Sequence, residues 1–320
     1  MNSLEEPPTA NSLVERAVER LGGGRDLPSP APGPDAERPI GPPGLLAGDG
    51  PDPSRAGPSA GAPRSREVAI DLDGLKARGI APPDGVPTRT TEEFRLIKRA
   101  VLLNVATYAE SGTKGSNLIM VTSSDQGEGK TFVSLNLAMG IAAERDFTVL
   151  LVDSDLSRSS IPEQLGIDVD KGLIDVLEDP SVDLAEVLIR TNVPGLTVLP
   201  AGSEHALSTE LLASERMGRL VKELSQRYQD RLIIFDAPPV LATSEASALA
   251  MHMGQILFVV EAERTSQSAI REALNLISVC PRIGFVLNKA RFQFGSARFG
   301  SYYSKYKKSY YKTYRRPRKK

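Results

Sequence analysis

The chain has 320 residues, with 39 basic and 40 acidic side chains and a single cysteine, Cys280. One cysteine excludes an intrachain disulfide and fits a reducing compartment, no apolar run approaches the roughly 18 residues of a membrane span, and the N-terminus lacks a basic-then-apolar signal pattern. The balanced charge hides an asymmetry: residues 291–320 hold 11 Lys and Arg and no acid, so the remainder carries 28 basic against 40 acidic groups, or −12.

Residues 1–21 are expected to contain a short helix. Leu13, Val14, Ala17, Val18 and Leu21 share one face behind an Asn11 or Ser12 cap, in a segment too short to stand alone and suited to docking. Residues 22–66 read as a disordered linker, because 21 of the 42 positions from 22 to 63 are Gly or Pro. Such a composition buries too little apolar area to offset the entropy of ordering. Residues 68–72 are expected as a short strand or docking element within a segment spanning 67–89. Residues 90–108 read as a helix capped by Thr91, with Phe94, Ile97, Val101 and Val105 as its apolar stripe. Glu92, Arg95 and Lys98 recur at threes on another face, either solvated or pairing with another subunit.

The next stretch organises the domain at 90–290. An apolar run at 117–122 reads as a buried strand. It leads into Ser124-Asp125-Gln126-Gly127-Glu128-Gly129-Lys130-Thr131 and then an apolar helix at 132–143. Strand, Gly-rich loop, Gly-Lys-Thr and helix form the context of a phosphate-binding loop, with Ser124 in place of the usual first glycine. Glycines let backbone N–H groups converge on phosphate oxygens, and the helix N-terminus adds positive potential. Lys130 would reach the β- and γ-phosphates, and the Thr131 hydroxyl would ligate Mg²⁺.

Downstream, strands are expected at 147–152, 196–199, 232–235, 255–260 and 283–287, with helices at 209–228, 244–251 and 266–279. Apolar strands alternating with helices predict an α/β fold, a doubly wound, mostly parallel sheet with helices on both faces, of the P-loop NTPase kind. Ligands of such sheets bind at the carboxyl ends of the strands. The phosphate loop, Asp153, Asp236 and Asn288 all fall at such ends. Asp236 has the position of a Walker B acid, and its carboxylate would hold Mg²⁺ directly or through water. Asp153 and Asp155, at i and i+2, would point to one side of an extended segment and need a cation between them. ATP and Mg²⁺ are therefore the expected ligands. Water as the attacking group would make an ATPase, and a protein hydroxyl a kinase.

Six of the chain's eight tyrosines lie in the terminal segment: Tyr302, Tyr303, Tyr306, Tyr310, Tyr311 and Tyr314, interleaved with Lys and Arg. The segment has no apolar periodicity, so residues 291–320 read as a disordered tail. Aromatic-basic interleaving also fits a nucleic-acid tail, but no folded nucleic-acid module accompanies it, and no nucleic-acid partner is expected. Exposed phenols on a mobile tail are equally tethered substrates. Six phosphotyrosines would add roughly −9 to −12 and nearly cancel the basic groups.

These residues resemble the bacterial tyrosine kinases over about 90–320. The loop without its first glycine, the acidic motif ending in Asp153-Ser154-Asp155, the Walker B run ending in Asp236 and the tyrosine cluster are similar to that family's pattern. Glu92, Arg95 and Lys98 resemble its oligomerisation helix, with Lys in place of the last Arg. The arginine expected after the second acidic motif would fall at Ser157, next to Arg158. Residues 12–21 and 70–73 further resemble stand-alone tyrosine autokinases of exosortase (PEP-CTERM) exopolysaccharide loci. The resemblance implies an autokinase that assembles into a homo-oligomeric ring and phosphorylates neighbouring tails, with Asp155 or Asp153 as the base. It also implies control of exopolysaccharide export, a membrane chain-length-determinant activator, an opposing protein-tyrosine phosphatase, and a cytoplasmic location at the inner membrane through a partner. The alternative is a partitioning or positioning ATPase switch of the ParA/MinD kind, which usually carries a second lysine near Asp125.

Overall fold

Apolar runs rich in Val, Ile and Leu form the inner strands of one sheet. In the computed structural model, residues 65–290 are described, apart from 84, 86, 87, 114, 204–206 and 228–230. The expected N-terminal helix, nearly all of the linker and the tyrosine-bearing tail lie outside the described residues. The strands are β1 (Arg66–Val68), β2 (Leu118–Ser123), β3 (Thr148–Asp153), β4 (Ile189–Thr191), β5 (Leu196–Leu199), β6 (Arg231–Asp236), β7 (Gln255–Glu261) and β8 (Ile283–Asn288). Their order is β1-β4-β5-β3-β6-β2-β7-β8. All neighbours run parallel except β4 and β5, whose connection at 192–195 is too short for a crossover helix.

Helices α1 (Leu72–Ala77), α2 (Arg89–Glu110), α3 (Lys130–Ala142) and α4 (Ile161–Leu165) contribute to the core on one face. The other face is covered by α5 (Leu173–Glu178), α6 (Leu184–Val187), α7 (Ser208–Leu212), α8 (Glu215–Arg227), α9 (Glu245–Ala250) and α10 (Gln267–Leu276). Alternation along β3 serves both layers: Leu150 and Val152 enter one core, Val149 and Leu151 the other. Helix α3 is buried almost all round, which is why its sequence is apolar without a polar stripe. It lies beneath α2, where the Phe94 and Phe132 rings meet edge to face at 5.8 Å.

Several elements differ from the sequence expectation. Helix α2 is capped by Thr88, not Thr91. The Thr88 side chain accepts from the Thr91 N–H, and Thr91 answers the Thr88 N–H, so Thr91 closes a capping box from the third helical position. The expected helix at 209–228 is two helices, broken at Ser214, whose hydroxyl accepts from the Met217 N–H at 3.2 Å. Ahead of α2, the strand lies at Arg66–Val68, and Leu72 already belongs to α1, because Asp71 accepts from the Asp73 and Gly74 N–H groups.

Residues 65–83 form a strap along the sheet margin. β1 pairs with β4, and Leu75 and Ile80 are fully buried beside the α3 layer. Asn192 brackets Ile70, accepting from its N–H at 2.9 Å and donating to its C=O at 3.2 Å. The Asn136 carbonyl, on α3, accepts from the Ala81 N–H at 3.0 Å.

Candidate active site

The loop at 124–129 joins β2 to α3. Gly127 and Gly129 adopt left-handed φ of 82° and 97°, which glycine reaches without strain. A Cβ on Gly129 would also lie 2.1 Å from Asn288 Nδ2, so that position excludes a side chain on two grounds. Ser124 fills the place of the missing first glycine with φ outside the left-handed region. It is fully buried, its carbonyl accepts from the Leu241 N–H at 3.1 Å, and its hydroxyl has no partner.

Strand register then assembles the charges. β2 lies between β6 and β7, and β3 and β6 pair with Asp153 directly beside Asp236. Both aspartates are fully buried. One oxygen of Asp153 accepts from Ser159 Oγ at 2.8 Å and from the Ile161 N–H at 3.2 Å, while Oδ1 has no partner. One oxygen of Asp236 accepts from Ser134 Oγ at 2.9 Å, while Oδ2 has none. Lys130 Nζ donates to Asp155 Oδ2 at 2.6 Å, and both groups are nearly buried. β3 ends at Asp153, and the Ser154 N–H still donates to the Asp236 carbonyl at 3.0 Å, but the carboxylates of Asp153 and Asp155 go to different partners. Asp153 is tied to the start of α4, and Asp155 to Lys130.

Burial, then the Asp236 charge, raises the Asp153 carboxyl to about 7. Burial likewise raises Asp236, opposed by Lys130 and by the Thr131 and Ser134 hydroxyls. Burial alone would lower Lys130, but Asp236, Asp155 and Asp153 together hold it above its ordinary value. Two neighbouring carboxylates, each with a buried unpartnered oxygen, fit a divalent cation. Thr131, bonded to Ser160 at 3.1 Å, adds a hydroxyl of the same hard-oxygen type. Among the described residues no cluster of three or more His, Cys, Asp or Glu forms a self-contained metal cage. The donor set of Asp153, Asp236 and Thr131 is of the hard-oxygen kind that Mg²⁺ takes, its shell being completed by water and phosphate oxygens.

The structure therefore brings together Ser124, Gly127, Gly129, Lys130, Thr131, Asp153, Asp155 and Asp236. Asp125 and Glu128 face each other within the loop, the Asp125 N–H donating to Glu128 Oε2 at 3.0 Å. Arg158 Nη1 donates to Gln126 Oε1 at 3.4 Å, so the arginine beside Ser157 reaches the loop. Asn288 uses its amide nitrogen on the Glu128 carbonyl at 2.8 Å. Glu92 and Arg95 pair with each other on the exposed face of α2, whereas Lys98 turns to Glu144 at the end of α3. Tyr302, Tyr303, Tyr306, Tyr310, Tyr311 and Tyr314 lie outside the described residues.

Sequence reasoning passed over Ser134, Ser159 and Glu245. Ser134 is one helical turn beyond Lys130, and that spacing was the available signal. Glu245 is buried near Asp155, with its carboxyl raised first by burial and then by that charge. It is brought near Asp155 by the fold alone, which leaves no local pattern.

A family model described as "AAA domain" matches residues 116–283. The tyrosine-protein kinase ptk of Acinetobacter johnsonii is 32% identical over 54% of this chain and 23% of its own length. The tyrosine-protein kinase CpsD of Streptococcus agalactiae is 27% identical over 63% of this chain and 84% of its own length. The crystal structure of the VpsO kinase domain superposes with a TM-score of 0.50 and 30% identity, covering 64% of this chain and 100% of that one. The chain spans about a quarter of the length of the larger curated kinases it matches. No helix among the described residues is long and apolar enough to cross a membrane. The chain belongs to the AAA domain family, and relatives that it matches in sequence are named as tyrosine-protein kinases of bacteria.

Proposed function

We propose that this protein is an ATP-dependent protein-tyrosine autokinase that phosphorylates its own C-terminal tyrosines, with ATP and Mg²⁺ bound at the carboxyl edge of the sheet. The observation that carries the reading is the presence of three buried carboxylates with separable duties. Asp153 and Asp236 keep unpartnered oxygens suited to a cation, and Asp155 is a third carboxylate in the same site, held by Lys130.

The loop N–H groups and Lys130 bind and orient the phosphates for in-line attack. Thr131, Asp153 and Asp236 would hold Mg²⁺, which when bound neutralises charge on the phosphate oxygens. A tyrosine phenol ionises near pH ~10, so it arrives neutral and a positioned base assists it. Asp155 takes the phenol proton as the new oxygen–phosphorus bond forms. The bond between the γ-phosphorus and the β,γ-bridging oxygen breaks, and ADP leaves.

The resemblance supports transfer between subunits of a ring through Glu92, Arg95 and Lys98, and disassembly once tails are phosphorylated. It also supports control of exopolysaccharide export, with a membrane chain-length-determinant protein as activator, a protein-tyrosine phosphatase as opponent, and a cytoplasmic place beside the inner membrane.

The test is autophosphorylation with Mg-ATP, with and without the cytosolic segment of a candidate activator, and phosphate mapped by mass spectrometry. Lys130→Met and a truncation after Ala290 run alongside. Phosphate on Tyr302, Tyr303, Tyr306, Tyr310, Tyr311 or Tyr314, abolished by Lys130→Met, is expected. Hydrolysis without phosphotyrosine, even with the activator, would move the assignment to a switch ATPase.

A further inference from the structure

The ends of β7 and β8 carry a second set of contacts to the phosphate loop. Lys289 Nζ donates to the Gly127 carbonyl at 2.6 Å and pairs with Glu261 at 3.0 Å. Asn288 Nδ2 donates to the neighbouring Glu128 carbonyl at 2.8 Å. Thr265 Oγ1 donates to one carboxylate oxygen of Glu128, whose other oxygen accepts from the Asp125 N–H. Glu261 is fixed in turn, because its N–H donates to Thr265 Oγ1 at 3.0 Å and Arg264 lies 3.5 Å from its carboxylate. The Ala262 N–H closes the ring on the Asn288 carbonyl at 2.9 Å.

Backbone geometry marks the same place. Among the described residues, the non-glycine residues with left-handed φ are Glu263 and Lys289, at 63° and 55°. Side chains rarely accept this conformation unless surrounding contacts impose it, and such strain gathers at functional sites. A loop that offers N–H groups to phosphate must turn its carbonyls away. Lys289 and Asn288 are donors on two successive loop carbonyls, and so hold them away from the phosphate side.

We propose that Lys289 is a positioning residue for nucleotide binding: secured by Glu261, it braces the phosphate loop in its phosphate-accepting form. The inference rests on the nucleotide site proposed above and adds a residue that positions its loop. In the sequence Lys289 stands two residues before the tyrosine-bearing segment at 291–320.

The full chain is compared with Lys289→Met, Lys289→Arg and Glu261→Gln. Binding of a fluorescent, non-hydrolysable ATP analogue with Mg²⁺ is titrated directly, and autophosphorylation is measured separately against ATP concentration. The Lys289 side chain is 44% exposed, so a partial effect is expected. Lys289→Met should weaken analogue binding and raise KM for ATP by about three- to tenfold, with kcat within about twofold. Lys289→Arg should recover most of the loss, Glu261→Gln should fall between, and the nucleotide-free melting temperature should stay constant. Unchanged binding in Lys289→Met, no recovery in Lys289→Arg, or a parallel fall in melting temperature overturns the proposal. If analogue binding follows the expected order while no variant forms phosphotyrosine, the brace stands and the kinase reading fails. If phosphotyrosine forms and binding is indifferent, the brace alone fails.

Discussion

In the strap at 65–83, Leu75 and Ile80 are fully buried, and the polar backbone of Ile70 and Ala81 is met by Asn192 and Asn136. At the carboxyl edge of the sheet, Asp153 and Asp236 are just as deeply buried, yet each keeps an oxygen with no partner. The first region is apolar burial with its amides answered. The second holds three carboxylates that Lys130 offsets only in part. Burying unpaired charge costs several times what burying a methylene returns, so the strap and the layers around it stabilise a fold that the site loads. A ligand carrying positive charge would relieve that load.

The largest effect should come from the strap. Leu75→Ala removes a fully buried side chain from the α3 layer and should cost about 2–5 kcal/mol in chemical denaturation. A cost under about 1 kcal/mol would mean that the strap rests on the domain without sharing its core.

The second effect has the opposite sign. The folded Asp153 carboxyl titrates at about 7 against 3.8 in the unfolded chain. Between those values the folded protein holds a proton that the unfolded chain has released. Stability of the nucleotide-free protein is therefore greatest below about pH 4 as far as this group decides it, and is lost as pH rises through about 7. The loss is on the order of 4 kcal/mol. Asp153→Asn should flatten that slope and stabilise the nucleotide-free protein near neutral pH, while abolishing Mg²⁺-dependent phosphoryl transfer. A slope unchanged in Asp153→Asn would place the load elsewhere, with Asp236 the next candidate.

The sheet, the phosphate loop and the strand-end acids were legible because each is a local pattern: apolar runs of strand length, Gly-Lys-Thr opening a helix, and an acid ending a strand. The strap was only partly legible. β1 has three residues and no alternation, and its pairing with β4 depends on a chain contact more than a hundred residues distant. Duties within the site were less legible still. Nothing local shows that Asp155 is held by Lys130 while Asp153 turns to Ser159, because those partners lie 25 and 6 residues away and meet the acids only through the fold. The brace from Lys289 and Glu261 was invisible for the same reason, since its residues meet only through the order β2-β7-β8.

The smallest effect on folding should lie on α2. Glu92 and Arg95 form an exposed pair within one helix turn, with side chains 46% and 55% accessible. Such pairs contribute about 0.5 kcal/mol or less, so Glu92→Ala should leave monomer stability nearly untouched. Lys98 differs: its side chain is 15% exposed and joins α2 to Glu144, so Lys98→Ala should cost about 1 kcal/mol through lost packing and pairing. If the Glu92 and Arg95 face pairs with another subunit, sedimentation of Glu92→Ala should show a smaller assembly at unchanged melting temperature. Lys98→Ala should lower the melting temperature first. Identical assembly of Glu92→Ala and the unaltered protein would leave this face simply solvated and assign any ring contact to other residues.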